Sequence, residues 1–473
     1  MAKRFYNCHA HCFTYDHVPR YFLSRGVGIS WFLHRKWLKK LIRKTPVTGK
    51  FDFIGDLLII LLTPLMGLNK SKVIRYLNFI KYGDRHTQED VLKSMQAYYP
   101  RNTGYVMLSM DMEYMGAGIP KSRFEKQLLE LKHLKTKVDD KNEKVWENLL
   151  FPFIFCDPRR VQPKHPRELP IEPHFIGKKF EQKLEEYISG NIFQGIKLYP
   201  ALGYYPFDKR MKNVYNFAVK NNVPIITHCT VGAVHFKYKL EDAEYHHPFL
   251  HKKLHAQKPE EFQANFSHPL NFECLLNHDL LKTHWGNDAP DYSKLKICLG
   301  HWGSVQEWMN YMNNPWIETK YRNMEKEYPS LELVNWHTTD KKEYNFSWFT
   351  IICDLIRKYP NVYADISYTL NDVRLFPLLK MLLEADEKIR ERVLFGTDFY
   401  LVSKAICERD FTINVRSFLG DELFHQIALI NAERFLNNDF NKVKNEWWEV
   451  KNNNMDDTNP SADTEEAEEL ETD

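Results

Sequence analysis

The sequence predicts an α/β protein: a closed (β/α)8 barrel with helical insertions over one end and an acidic tail. Two observations predict it. Eight apolar, β-branched runs alternate with helical patterns along the chain, the order expected of a barrel of parallel strands. Four of those runs end in metal-ligand side chains, in the order His-x-His, His, His, Asp. The carboxyl ends of its strands are where such a barrel gathers its reactive groups.

The first run, Lys3–His9, leads into Asn7-Cys8-His9-Ala10-His11. Two histidines one residue apart at a strand end face the same way, because strand side chains alternate between faces. Strands two to four are predicted over Gly104–Met110, Leu149–Cys156 and Ile192–Tyr199. Strand five, Val223–His228, ends in a histidine, and strand six, Leu295–Gly300, runs into His301. Strand seven is Asn361–Ser367, and strand eight, Arg392–Thr397, runs into Asp398. Helices are predicted over Phe180–Ser189 with Gly190 beyond it, over Lys209–Lys220 ending at Asn221-Asn222, and over Trp348–Lys358 ending before Pro360.

Three connections are far longer than ordinary loops: about 12–102, 229–293 and 302–345. Each leaves the carboxyl end of a strand, so together they should form a helical cap that excludes water and shapes a pocket. One unit over 1–450 therefore includes barrel and cap, and 451–473 is a tail predicted to be disordered and dispensable for catalysis. Within the first insertion, Leu57–Met66 is strongly apolar, but a membrane span needs about 20 such residues. We read it as a buried cap helix rather than a membrane-surface segment.

The 473 residues are 43% hydrophobic and 27% charged, which excludes wholesale disorder. Net charge is +3, yet the tail from Asn453 carries nine acids and no base, so the body holds about +12. Much of that excess lies between Arg20 and Lys81 and reads as solvated helix faces, with no nucleic-acid partner implied. The eight cysteines are scattered, without the density of a disulfide framework, and with no secretory segment near Met1 they fit a reducing cytoplasm. Cys8, Cys12 and Cys229 adjoin the strand-end histidines but are expected on the opposite face. A Gly-rich phosphate loop and a Gly-x-Ser-x-Gly elbow are both absent, which removes support for a nucleotide enzyme or a serine hydrolase.

His9, His11 and His228 offer three imidazole nitrogens and Asp398 a carboxylate, a set that suits one Zn²⁺ with a position left open for water. Mn²⁺, Fe²⁺ or Ni²⁺ fit the same ligand types. Such an ion lowers the pKa of a bound water towards 7. Asp398 can then take and return a proton, and His301, not needed as a ligand, can orient substrate or shuttle protons. His235, His246, His247, His251 and His255 lack a repeated ligand spacing and read as a solvated cap surface. Asp365 is expected to satisfy structural donors rather than to act as a base.

Beside this ligand set stand Gly195-Ile196-Lys197-Leu198-Tyr199-Pro200, Ser267-His268-Pro269-Leu270-Asn271-Phe272, Asn361-Val362-Tyr363-Ala364-Asp365-Ile366-Ser367-Tyr368 and Asn431-Ala432-Glu433-Arg434-Phe435-Leu436. With these the chain resembles the amidohydrolase superfamily over roughly Arg4 to Leu436, and most closely its amidohydrolase-related branch, which includes aminocarboxymuconate-semialdehyde decarboxylase. The resemblance implies a TIM barrel, with His9, His11, His228 and Asp398 on metal and His301 as catalytic partner. In binuclear members a lysine placed like Lys197 is carboxylated and bridges two metals, with His301 on the second. In the related branch it accompanies one metal, and one is our expectation here. Lys197 is otherwise a fixed charge that meets an anionic substrate, with Tyr199, Tyr204 and His268 as candidate pocket residues.

The expected activity is hydrolysis of an ester, lactone or amide-type bond in a small, anionic molecule. The alternatives are non-oxidative decarboxylation of a small carboxylic acid and a non-catalytic binding protein on the same fold. Members of this superfamily are often homodimers, and the resemblance extends that expectation to this chain.

Overall fold

The computed structural model describes residues 4–19, 22, 64, 79, 81–164, 175–231, 246–249, 252–253, 259–313, 347–400 and 408–442. Eight parallel strands form one sheet in chain order: β1 (Tyr6–Ala10), β2 (Gly104–Leu108), β3 (Leu150–Phe155), β4 (Gly195–Leu198), β5 (Ile225–Thr230), β6 (Ile297–Gly303), β7 (Val362–Asp365) and β8 (Val393–Leu394). Residues after β8 return to β1: the Cys8 amide donates to Phe395 O (2.8 Å), and the His11 amide donates to Phe399 O (2.6 Å). The barrel is thereby closed, and strand one lies against the segment that carries Asp398.

Each strand is buried on both faces, because side chains turned inward meet one another and those turned outward meet helices. The inner set includes Tyr6, Val106, Phe151, Ile226, Cys298 and Tyr363, with Phe435 and Leu436 packed against it. The helices predicted from periodicity fall close to their expected bounds. Trp348–Lys358 is capped by Ser347, whose hydroxyl accepts the Thr350 amide. The stretch over Lys209–Lys220 divides into a 3₁₀ turn, Lys209–Met211, and the helix Lys212–Lys220, because Asp208 caps the turn first.

Described parts of the long connections carry the helices Pro259–Ser267, Leu270–Leu276, His278–Trp285 and Val305–Asn313. From the first connection, Phe79 and Tyr82 pack on Tyr400 and Phe399, just past Asp398 (ring centroids 5.7 and 5.0 Å). His247 corrects the reading of its cluster as solvated. It is fully buried, with Nε2 3.0 Å from Asn271 Oδ1 and its ring edge-on to Tyr205, since an amide partner and an aromatic wall replace water there. His246 is exposed, while His235, His251 and His255 lie outside the described residues, as do the Leu57–Leu62 segment and the acidic tail. Among the described residues no helix is long and apolar enough to cross a membrane.

Candidate metal centre

The first strand does not alternate cleanly. Its pairing runs Tyr6 to Gly104 and Asn7 to Tyr105, then Ala10 to Met107, so a bulge absorbs one extra residue of β1. Cys8 consequently belongs to the inner core with Tyr6, and His9 beside it also turns inward, onto Asp365. The expectation that Cys8 faces away from the ligands was wrong, because it assumed an unbroken pleat. Two glycines clear room for His9. A methyl group on Gly396 would stand 2.8 Å from His9 Cβ, and one on Gly300 would stand 3.1 Å from His9 Cε1.

Hydrogen bonds at the far side of each ring fix what His9 and His11 present to one another. His9 Nδ1 lies 2.8 Å from Asp365 Oδ2 and His11 Nδ1 lies 2.9 Å from the Leu108 carbonyl. Both partners only accept, so both Nδ1 atoms donate and, in the neutral rings, both Nε2 atoms carry lone pairs. Those lone pairs converge on a carboxylate. Asp398 Oδ1 is 3.3 Å from His11 Nε2 and 3.9 Å from His9 Nε2. Three acceptors facing each other with no proton between them repel, unless a cation lies among them. With metal bonds of about 2.0–2.1 Å, tetrahedral ligands stand about 3.3 Å apart, so the spacing fits a divalent ion. His9 Nε2 is buried and makes no hydrogen bond among the described residues, as such a ligand would before metal is counted.

Burial pushes His9 down to about 3, despite the pull of Asp365, so its ring is neutral. Burial alone would raise Asp398, but the close approach of His11, His301 and His9 outweighs it and holds the carboxyl below its ordinary range. Asp365 behaves likewise: burial opposes ionisation, and His9, His301 and Ser367 overcome it. As the sequence suggested, Asp365 serves structural donors, taking the His9 ring and the amides of His301 and Ser367 (both 3.1 Å). Asp398 and His301 both sit at positive φ (59° and 67°), a conformation rare for such residues and frequent where side chains are aimed at a site.

His228 is not in the tight group formed by His9, His11 and Asp398, whose ligand atoms all lie within 4.8 Å of one another. It stands beside that group, with Nδ1 3.1 Å from His301 Nε2 and its ring stacked on Tyr199 (4.1 Å between centroids). His301 also packs against His9 (4.6 Å), and burial lowers its pKa against the pull of Asp398 and Asp365. A second possible group consists of His9, His301 and Asp365. Lys197 Nζ is fully buried, makes no hydrogen bond among the described residues, and is pushed by burial down to about 8 against the pull of Asp365 and Asp398.

Of the expected pocket residues, Tyr199 lies at the cluster through His228. Tyr204 supports it from behind, its hydroxyl accepting the Tyr199 amide at 2.7 Å. His268 stands against Trp348 (5.1 Å), with Nδ1 accepting the Leu270 amide. Two kinds of residue escaped the sequence reading. Ser367 and Asn7 stand within the quoted stretches without a role assigned to them, yet Ser367 bonds His301 Nδ1 (2.9 Å), and Asn7 joins the His9 amide to Thr397. The glycines could have been noticed, since Gly300 and Gly396 immediately precede the ligand-bearing ends of β6 and β8.

Residues 327–437 match the family model described as Amidohydrolase. That stretch includes β7 and β8 with Asp365, Ser367 and Asp398, and over it the chain is similar to the amidohydrolase family. No curated protein matches the sequence. Among solved structures, an uncharacterised TIM-barrel protein from Bordetella bronchiseptica is similar at 12% identity, over 92% of this chain and 98% of that one (TM-score 0.42). A 5-carboxyvanillate decarboxylase from Novosphingobium aromaticivorans, complexed with manganese, is 12% identical over 73% of this chain and 78% of its own (TM-score 0.40). An amidohydrolase from Burkholderia multivorans with bound zinc is 12% identical over 76% of this chain and 91% of its own (TM-score 0.39).

Proposed function

We propose that the chain is a metal-dependent hydrolase of a small anionic molecule, cleaving an ester, lactone or amide-type bond. The observation that carries this reading is the convergence of His9 Nε2, His11 Nε2 and Asp398 Oδ1, three ligand atoms in a buried cluster. His228, stacked on Tyr199 beside this group, would be the third imidazole of the ligand set. A bound divalent ion supplies Lewis acidity towards water and the scissile carbonyl. Asp398, held ionised, accepts the proton of the attacking water and returns it to the leaving group. His301 presents Nε2 beside the cluster and shuttles protons there. The buried Lys197 ammonium, which makes no hydrogen bond among the described residues, meets the anionic group of the substrate.

Decarboxylation is the second reading, favoured by the same lysine, because a buried cation can hold a carboxylate beside a proton donor. Isotope tracing separates the two: hydrolysis places ¹⁸O from water in the product, whereas decarboxylation releases CO₂ and places solvent deuterium on carbon. The metal reading itself is tested by elemental analysis. Changing His9 and His11 together to alanine should abolish metal content in a folded chain, and a folded double variant with its metal intact would remove the assignment.

A further inference from the structure

Ser367 joins the two halves of the cluster. Its hydroxyl makes a short contact with Asp365 Oδ1 and lies 2.9 Å from His301 Nδ1, and His301 Nε2 lies 3.1 Å from His228 Nδ1. We propose that Ser367 is a positioning residue that gives this chain of hydrogen bonds one direction, and so decides which nitrogen of His301 and of His228 carries the proton.

The direction follows from counting hydrogens. An ionised carboxylate only accepts, so the single Ser367 hydroxyl hydrogen is committed to Asp365. Towards His301 the same oxygen can only accept, which puts the His301 proton on Nδ1. A neutral imidazole has one donor and one acceptor, so His301 Nε2 accepts, and the hydrogen between the two rings belongs to His228 Nδ1. His228 then keeps its lone pair on Nε2, the form required of a metal ligand at that atom. One carboxylate therefore sets three histidines: His9 directly, and His301 and His228 through Ser367. Removing the hydroxyl leaves His301 Nδ1–H buried without this acceptor. The less costly state moves that proton to Nε2, which makes His228 Nδ1 the acceptor and puts the His228 proton on Nε2.

The metal-affinity part rests on the metal reading above, whereas the proton positions do not. Neutron diffraction from the deuterated, metal-free chain should place deuterium on Nδ1 of both His301 and His228. Deuterium on His301 Nε2 in the wild type would overturn the proposal, whatever any variant does. Ser367→Ala should carry both deuterons on Nε2 and bind Zn²⁺ about 10- to 100-fold more weakly by titration calorimetry. Ser367→Thr, which retains a hydroxyl, should restore the wild-type pattern. A folded Ser367→Ala chain with unchanged deuterons would remove Ser367 from the role. A wild-type chain that binds no Zn²⁺ but carries both deuterons on Nδ1 would overturn the metal reading and sustain this one.

Discussion

Replacing Gly396 with alanine should weaken the metal centre through His9 alone. Gly396 is not among the glycines with positive φ, so alanine suits its backbone and the effect is steric. The new Cβ would lie 2.8 Å from His9 Cβ and 3.1 Å from His9 N. Against an ordinary carbon contact of about 3.5–4.0 Å, the shortfall is roughly 1 Å. Both obstructing atoms belong to or adjoin the backbone, and a side-chain rotation cannot clear them. Overpacking of this kind costs about 1–3 kcal/mol, and β1 can relieve it only by moving away from β8. A functional constellation tolerates about 0.5 Å of displacement, so the strain should fall on metal binding. At about 1.4 kcal/mol per decade, Zn²⁺ affinity should drop by about 5- to 150-fold. Calorimetric titration of the apo variant with Zn²⁺, beside a thermal melt, measures both terms. Gly83→Ala is the control, since its new Cβ meets nothing closer than 3.4 Å. A folded Gly396→Ala chain with wild-type affinity would refute the claim that glycine at this position creates the space for His9.

Two further outcomes follow from the buried titratable groups. His301→Ala should retain metal yet lose on the order of 10²–10⁴ in kcat, measured once a substrate is in hand; loss of a metal equivalent instead would make His301 a ligand. In the metal-free chain, Lys197 titrates near 8 against an ordinary value of 10.5. Between those values the unfolded chain holds the extra proton, so stability should rise with pH across that window, with a penalty of about 3 kcal/mol in full below it. Lys197→Met should reduce this slope, to which Lys135 and Lys296, also pushed by burial down to about 8, contribute as well, and should stabilise the chain at pH 7, as read from urea melts at pH 7 to 10.5. An unchanged slope in that variant would show that Lys197 does not contribute to it.

The barrel was legible because each strand is a local event. A short β-branched run bounded by polar residues identifies itself, and a run followed by His228, His301 or Asp398 also marks which end is reactive. Residue type alone likewise pointed to metal, since several imidazoles and a carboxylate at strand ends have few other uses. Predicted strands overran the observed ones by a residue or more at several ends, since apolar character continues into turns where ladder hydrogen bonds stop.

What the sequence could not contain is how residues hundreds of positions apart meet. The bulge in β1 is a property of its pairing with β2, and it brings Cys8 and His9 to the same side. The pairing of His228 with His301, the seat of His9 between Gly300 and Gly396, and the link from Asp365 through Ser367 all depend on neighbouring strands in register. Side-chain chemistry is written residue by residue and can be read along the chain. The direction of a hydrogen bond, the proton each imidazole carries and the space around a ring are properties of neighbours, and neighbours exist only once the sheet has closed.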